Sequence, residues 1–227
     1  MNLPSISKSF FNGDCFDDPE KESEIVEVLT EYCKSYGSDC IPSVFMRGNH
    51  EIRGACSVVL WDYLSKAGEH SYTAFTMGGT RFVLLDCGED KPDGTEVYYG
   101  MNDFTQYRKD QAQFLQTELA GPEFTAAARK VLIHHIPIYG NAVAKFNPCK
   151  ELWQPHLAAA GFDVSLNGHL HRYELIEKGA SENNFPVVIG GGYKEENATV
   201  MILKKTGERL NLRVVHAKGN TLLDRDL

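Results

Sequence analysis

The 227-residue sequence lacks the features that mark several large classes of protein. It has no run of 18 consecutive apolar residues, and its first residues carry neither the basic start nor the apolar stretch of a secretory signal. Internal repeats, low-complexity segments and linkers are absent as well. These absences predict a single domain over residues 1–227 that has no membrane partner.

A basic excess is also missing, since 23 Lys and Arg residues face 31 Asp and Glu residues and give a net charge of −8. Generic binding to nucleic acid begins with a clustered basic surface, so we expect no such partner. The six cysteines form no C-x-x-C pair, which excludes a zinc ribbon and a thioredoxin motif. What remains is the composition of an ordinary globular protein, with 42% hydrophobic and 24% charged residues.

Apolar residues recur at helical spacing in three segments, which predict helices over 25–36, 104–119 and 152–160. We expect Asp17 or Asp18 to cap the first helix and Gly37 to end it. Pro155 interrupts the third segment.

Short runs of β-branched and aromatic residues lie between and after these helices. They predict strands at 9–12, 41–46, 72–76, 82–86, 131–134, 162–166, 187–189, 198–203 and 210–215. Helices and strands alternate over most of the chain, while the last strands follow one another. The pattern favours a layered α/β fold with an antiparallel C-terminal end.

Four of the predicted strands run directly into polar residues. The segments are Asn12-Gly13-Asp14, Arg47-Gly48-Asn49-His50-Glu51, His134-His135 and Asn167-Gly168-His169-Leu170-His171. Sites in open α/β sheets lie beyond the carboxyl ends of the strands, so we expect these side chains to converge. A carboxylate, an amide oxygen and several imidazoles, without thiolate, suit Mn²⁺, Fe²⁺, Zn²⁺ or Co²⁺ and predict a catalytic type of metal site.

These segments resemble the calcineurin-like metallophosphoesterase superfamily, which also contains the purple acid phosphatases and the Ser/Thr protein phosphatases. The family pattern is D-x-H, G-D-x-x-[D/N/Y], G-N-H-[D/E], an H-x-P-type block and G-H-x-H. The last four blocks are matched by Gly13-Asp14-Cys15-Phe16-Asp17, Gly48-Asn49-His50-Glu51, His135-Ile136-Pro137 and Gly168-His169-Leu170-His171. The resemblance covers about residues 9–203 and implies two mixed β-sheets packed as a sandwich flanked by helices.

The resemblance also implies a role for the matching side chains. Asp14 would bridge two metal ions, while Asn49, His135 and His169 would complete the shell of the second metal and His171 would bind the first. The metals implied are Mn²⁺, Fe²⁺ or Fe³⁺, or Zn²⁺. His134 is displaced by one residue from the H-x-P register, so the ligand role falls on His135.

His50 would lie above the metals without binding them and would protonate the leaving group, with Asp17 orienting its ring. Other residues are candidates for substrate contact on position alone: Arg47, Tyr139 and Asn141, and more weakly Glu89 and Asp90.

The opening D-x-H block is absent, because the thirteen residues before Asp14 contain no Asp or His. The resemblance then implies that two ligands of the first metal and a central strand are missing. The chain is expected either to be truncated at its N-terminus or to retain one full metal position.

Three interpretations follow, in order of preference. The first is a metal-dependent phosphomonoesterase or phosphodiesterase that acts on a small phosphorylated substrate. The second is a catalytically weak or inactive relative that binds a metal or a phosphorylated ligand. The third is a structural or interaction domain with fortuitous histidines. Substrate identity, oligomeric state and compartment stay open at this point.

Overall fold

The computed structural model describes residues 6–37, 40–64, 70–95, 102–140 and 145–227. The helices are α1 (Glu22–Tyr36), α2 (Leu60–Tyr63), α3 (Phe104–Ala120), α4 (Pro122–Ala126) and α5 (Pro148–Leu157). The strands are β1 (Ser9–Asn12), β2 (Ser43–Met46), β3 (Thr73–Met77), β4 (Thr80–Leu84), β5 (Arg129–Ile133), β6 (Val164–Asn167), β7 (Glu174–Ile176), β8 (Val187–Ile189), β9 (Thr199–Thr206), β10 (Arg209–His216) and β11 (Thr221–Asp226).

A six-stranded mixed sheet with the order β3-β4-β5-β6-β8-β7 forms the centre of the molecule. Its inner strands β4, β5, β6 and β8 are parallel, and β3 and β7 pair antiparallel at the edges. Side chains alternate between the two faces, as the period of a strand requires. Phe82 and Leu84 lie on one face, whereas Val83 and Leu85 lie on the other.

Helices cover the face that carries Val83. Leu115 of α3, Phe124 of α4 and Trp153 of α5 are all buried in this part of the core. The start of α5 differs from the predicted 152–160, because Asn147 caps the helix by accepting the N–H of Lys150 and the helix begins at Pro148. Proline is well suited to the first turn of a helix, where its missing N–H is not needed.

Two smaller sheets cover the opposite face. The parallel pair β1-β2 and the antiparallel sheet β11-β10-β9 both pack on it, for example through Met46 and Leu212. Helices α1 and α2 then cover the outer side of β1-β2 with Ile25 and Leu60. The layered α/β architecture is thereby confirmed, and the second layer of the sandwich consists of two short sheets.

The nine predicted strands all occur, and α1 ends at Gly37, which adopts φ 64° and donates its N–H to the carbonyl of Cys33. The expected cap of α1 at Asp17 or Asp18 is wrong. The helix begins after Lys21, and the backbone N–H of Lys21 donates to the carboxylate of Glu24. Within the described ranges no helix is long and apolar enough to cross a bilayer.

Candidate metal centre

The carboxyl ends of four strands bring the polar segments to one edge of the molecule. β1 runs parallel to β2, and β5 runs parallel to β6, so the loops that follow these strands leave in the same direction. Asp14, His135 and His169 each place one ligand atom within 4.8 Å of the others. Residues more than a hundred positions apart therefore form one group, as the sequence predicts.

His135 has the tautomer that a metal ligand needs. Its Nδ1 lies 2.6 Å from the carbonyl oxygen of Asn12, which can only accept a hydrogen bond, so Nδ1 carries the proton. In the neutral ring Nε2 then has a lone pair, and it lies 2.9 Å from Oδ2 of Asp14. Nε2 is buried and faces this carboxylate oxygen. A ring nitrogen and a carboxylate oxygen this close together fit two ligands of one ion.

The charges of this pair are strongly coupled. Burial alone would raise the pKa of Asp14, but the contact with His135 and the positive charge of its ring lower that pKa to about 2. Burial would also lower the pKa of His135, and the contact with Asp14 raises it instead. Asp14 is therefore a carboxylate at neutral pH, the form that binds a cation.

His169 and Asn49 make the next contact of the group. Nδ1 of His169 lies 2.9 Å from Oδ1 of Asn49, and its Nε2 lies 3.6 Å from Oδ2 of Asp90. Burial, followed by the charge of His135, lowers the pKa of His169 to about 4. His169 is thus neutral at physiological pH and able to bind a metal.

Glu51 holds the loops that carry the ligands. Its buried carboxylate accepts the backbone N–H groups of Asp14, Cys15, Phe16 and Gly48. Two loops from different strands are thereby tied to one side chain. The sequence motif contains Glu51, but the four backbone donors depend on how the loops turn.

Backbone strain is concentrated at the same place. Among the described non-glycine residues, positive φ occurs at Asp14, Asp18, His169, His171 and Glu182. The first four belong to the predicted site or adjoin it. Such conformations cost about 1 to 3 kcal/mol each and persist where the surroundings hold them, which is common at functional sites.

His50 stands beside the metal group and is held by two carboxylates. Its backbone N–H donates to Oδ1 of Asp14 over 3.1 Å. Its Nδ1 lies 3.0 Å from Oδ1 of Asp17 and 3.0 Å from Oδ1 of Asp18. The contact with Asp17 is the one expected from the sequence. The contact with Asp18 was not expected, because Asp18 was considered only as a cap of α1.

Arg53 reaches the far end of the His50 ring. Its Nη1 lies 3.5 Å from Nε2 of His50, and its Nε and Nη2 each lie 3.0 Å from an oxygen of Glu89. Sequence analysis did not single out Arg53, because no motif spacing marks it. Glu89 and Asp90, the weaker candidates, lie in the loop after β4 that lines this part of the site.

The remaining predicted residues lie apart from the three-residue group. His171 is exposed, with its ring 5.6 Å from that of Tyr193, and its ligand atoms are outside the group. Tyr139 is 1% exposed and packs on Phe185, so burial in the core accounts for its side chain. Asn141 lies outside the described residues.

Arg47 is engaged by a buried carboxylate. Its Nε and Nη2 both lie 2.7 Å from Oδ2 of Asp86, which also accepts hydrogen bonds from Ser71 and Tyr107. The guanidinium therefore connects the loop after β2 to the loop after β4 and to α3. This network explains Arg47 without a substrate contact.

A family model described as calcineurin-like phosphoesterase matches residues 4–173, which is most of the chain. The chain belongs to the calcineurin-like phosphoesterase family. The family resemblance inferred from the motifs is thereby confirmed. The family comprises phosphoester hydrolases, which in general bind divalent metals.

Individual relatives agree with this assignment. Purple acid phosphatase 15 of Arabidopsis thaliana is 25% identical over 178 residues, which are 70% of this chain and 31% of that protein. Serine/threonine-protein phosphatase CPPED1 of Pongo abelii is 23% identical over 157 residues, or 66% of this chain and 46% of that protein. This calcineurin-like chain therefore spans less than half the length of both curated relatives.

Solved structures support the same fold. A purple acid phosphatase from yellow lupin (Lupinus luteus) seeds superposes with a TM-score of 0.68 at 17% identity, covering 97% of this chain and 46% of that one. A dimetal phosphatase from Danio rerio superposes with a TM-score of 0.67 at 15% identity, covering 97% and 82%. At these identities, the two superpositions show that this calcineurin-like chain shares the fold of the two proteins.

Proposed function

We propose that the chain hydrolyses phosphate esters of small molecules, as a phosphomonoesterase or phosphodiesterase, with a divalent transition metal held by Asp14, Asn49, His135 and His169. Mn²⁺, Fe²⁺ and Zn²⁺ suit this mixed set of oxygen and imidazole donors. When bound, the metal would lower the pKa of water and offset charge on the phosphoryl group. His171 would contribute to a second, weaker position.

The observation that carries this proposal is the placement of His50. Its backbone N–H donates to the carboxylate of Asp14, and its Nδ1 lies within hydrogen-bond distance of Asp18 and 3.0 Å from the exposed Asp17, so the ring lies beside the group formed by Asp14, His135 and His169. A carboxylate beside Nδ1 fixes the orientation of the ring. Nε2 is the ring nitrogen to which we assign the proton transfer.

In the proposed reaction water attacks phosphorus and the bond between phosphorus and the leaving oxygen breaks. His50 gives its Nε2 proton to that oxygen, which leaves as an alcohol. General acid catalysis of this kind contributes about 10² to 10⁴ in rate. Asp17 and Asp18 stabilise the charged ring before the transfer and hold its orientation throughout.

The test compares leaving groups in wild type and His50→Ala. Alkyl phosphates, which have basic leaving oxygens, should slow by about 10² to 10⁴ in His50→Ala, whereas nitrophenyl phosphate should slow far less. Metal content should be unchanged. His70→Ala, at an exposed histidine stacked on Tyr72, is the matched control and should behave as wild type. Equal losses for both substrates would contradict the acid role and favour electrostatic stabilisation by the ring.

One observation favours the second candidate, a relative that binds metal or a phosphorylated ligand with little turnover. His171 lies outside the group formed by Asp14, His135 and His169, and it is also absent from the second described group with metal-binding spacing, Asp17, Asp18 and His50. Turnover of nitrophenyl phosphate by the metal-loaded wild type separates the two proposals. Absence of turnover in a protein that retains its metal would favour this second candidate.

A further inference from the structure

Arg53 places a positive charge beside His50, at the edge of the molecule where the proposed reaction would bind an anionic phosphate ester. The site is rich in carboxylates, with Asp14, Asp17, Asp18 and Glu89 all within it or beside it. A phosphate ester adds further negative charge. Apart from a metal ion, the substrate needs a protein group that attracts it to this edge of the molecule.

The side chain of Arg53 is held rigidly. Its Nε and Nη2 form a two-point contact with the carboxylate of Glu89, which has 0% side-chain exposure. Pairing through two parallel N–H groups fixes the plane of the guanidinium. Nη1, on the remaining corner of that plane, is consequently directed towards Nε2 of His50 at 3.5 Å. The arginine itself keeps 21% side-chain exposure.

This inference rests on the proposed role of His50, because Nη1 lies beside the ring nitrogen that would donate a proton to the leaving group. A leaving oxygen that receives the Nε2 proton lies within about 2.6 to 3.2 Å of Nε2. Nη1 lies 3.5 Å from Nε2, so a phosphoryl oxygen of an ester whose leaving oxygen faces Nε2 lies in the region that Nη1 also faces. Arginine N–H groups bind such anionic oxygens through charge-assisted hydrogen bonds.

We propose that Arg53 is a substrate-binding residue, whose Nη1 donates a hydrogen bond to an oxygen of the phosphoryl group while Glu89 positions the guanidinium. Arg47, the arginine expected from the sequence, is engaged by Asp86 instead. A planar guanidinium with a fixed orientation suits phosphate better than an ammonium group does. Glu89 acts through Arg53 and is a positioning residue.

The experiment measures binding of inorganic phosphate to the manganese-loaded protein by titration calorimetry. Arg53→Met should weaken phosphate binding by about 10- to 100-fold, the loss expected for a hydrogen bond to a charged group. Arg53→Lys should fall between wild type and Arg53→Met, because it keeps the charge without the two-point contact to Glu89. Manganese content should be the same in all three proteins.

Arg225 supplies the matched control. Its Nη1 lies 2.8 Å from an oxygen of Glu177, and its side chain is 29% exposed, but it contacts none of the residues of the site described above. Arg225→Met should leave the phosphate affinity unchanged.

Removal of Arg53 leaves the buried carboxylate of Glu89 without its main partner, which can destabilise the fold. The double variant Arg53→Met/Glu89→Gln removes both charges and addresses this. It should keep the manganese content and melting temperature close to wild type and still bind phosphate about 10- to 100-fold more weakly. Wild-type phosphate affinity in this folded, manganese-loaded variant would overturn the inference.

Failure of the inference and failure of the proposed function give different results. Ester hydrolysis with an unchanged KM in the Arg53 variants would overturn the role of Arg53 and leave the proposed function standing. Phosphate binding that depends on Arg53, in a protein that hydrolyses no ester, would support the anion site and contradict the proposed function. A wild-type protein that holds manganese but binds no phosphate would overturn the anion site.

Discussion

At the scale of single residues, the candidate metal centre depends on side chains that hold loops with positive φ. Asp14 and His169 adopt positive φ, which is uncommon for residues other than glycine. The four backbone N–H groups that Glu51 accepts counteract this cost on the Asp14 side. Glu51 therefore links loop conformation to ligand geometry.

Replacing Glu51 by alanine should weaken both the fold and the metal site. Four backbone donors would lose their acceptor, and the free energy of unfolding should fall by at least about 3 kcal/mol. Metal affinity should fall by about 10- to 100-fold, as it does when other groups that orient metal ligands through hydrogen bonds are removed. Urea denaturation of the metal-free protein and manganese titration measure the two effects. Glu177→Gln is a control at an exposed glutamate, and equal behaviour of the two variants would contradict this role of Glu51.

The sequence predicts most of the side chains of the candidate site, because Asp14, Asn49, His135 and His169 lie in short motifs at strand ends. It predicts fewer of the contacts that these side chains and their neighbours make. Asp18 and Arg53 face His50 only because of the turns between β1 and α1 and after β2. Tyr139 follows a motif block directly, but its loop returns the side chain to the core. Position beside a motif therefore does not predict contact with it.

At the scale of elements, the site depends on two parallel strand pairs, β1-β2 and β5-β6, whose carboxyl ends lie together. Periodicity predicted these strands because their apolar residues alternate or run continuously. It missed β7 and β11, which contain charged residues such as Glu174 and Asp224. Both lie at sheet edges, where solvent contact weakens the hydrophobic pattern.

Substitutions at two glycines should have different effects, one on the stability of a helix and the other on the geometry of the candidate site. Gly37→Ala places a side chain at φ 64° at the end of α1, with Ile41 the nearest contact at 3.9 Å, so we expect a loss of about 1 kcal/mol and normal metal binding. Gly48→Ala would place its Cβ against the carboxylate and backbone of Asp14 and should abolish tight metal binding. Thermal denaturation and metal analysis of both variants check this, and a Gly48→Ala protein with full metal content would refute it.

At the scale of the whole molecule, buried ionisable groups make stability depend on pH. His134 is buried within a hydrogen-bonded network with Ser165 and Asn167, and burial lowers its pKa to about 4. The unfolded chain binds this proton near the ordinary pKa of about 6.5. The stabilising contribution is therefore complete above about pH 6.5 and is lost as pH falls towards 4.

The metal-free protein should lose about 3 kcal/mol of unfolding free energy through His134 between about pH 6.5 and 4, by the linkage of pKa to stability. A second decline should follow between about pH 4 and 2, where Asp14 and Asp90, whose pKa values are both about 2, become protonated. Urea denaturation at a series of pH values measures both. His134→Gln should reduce the first decline by this amount and keep the second, while His169, whose pKa is also about 4, accounts for a remaining part of the first decline. A first decline of unchanged size would show that His134 does not contribute to it.

The proposed function depends on one claim, that Asp14, Asn49, His135 and His169 form a site for a divalent transition metal. The convergence of Asp14, His135 and His169, with Nε2 of His135 2.9 Å from Oδ2 of Asp14, is the main structural support for it. The role of His50, the anion contact of Arg53 and the effect of Gly48→Ala all assume this ion.

The most direct test is metal stoichiometry and affinity, measured by elemental analysis and calorimetry on protein purified in manganese or zinc. Wild type should hold close to one tightly bound ion per chain, with a second ion bound weakly or not at all. His169→Ala should lose the tight ion, whereas His171→Ala, at the exposed histidine outside the group, should keep it. A wild-type stoichiometry near zero, or a tight ion unaffected by His169→Ala, would contradict the account.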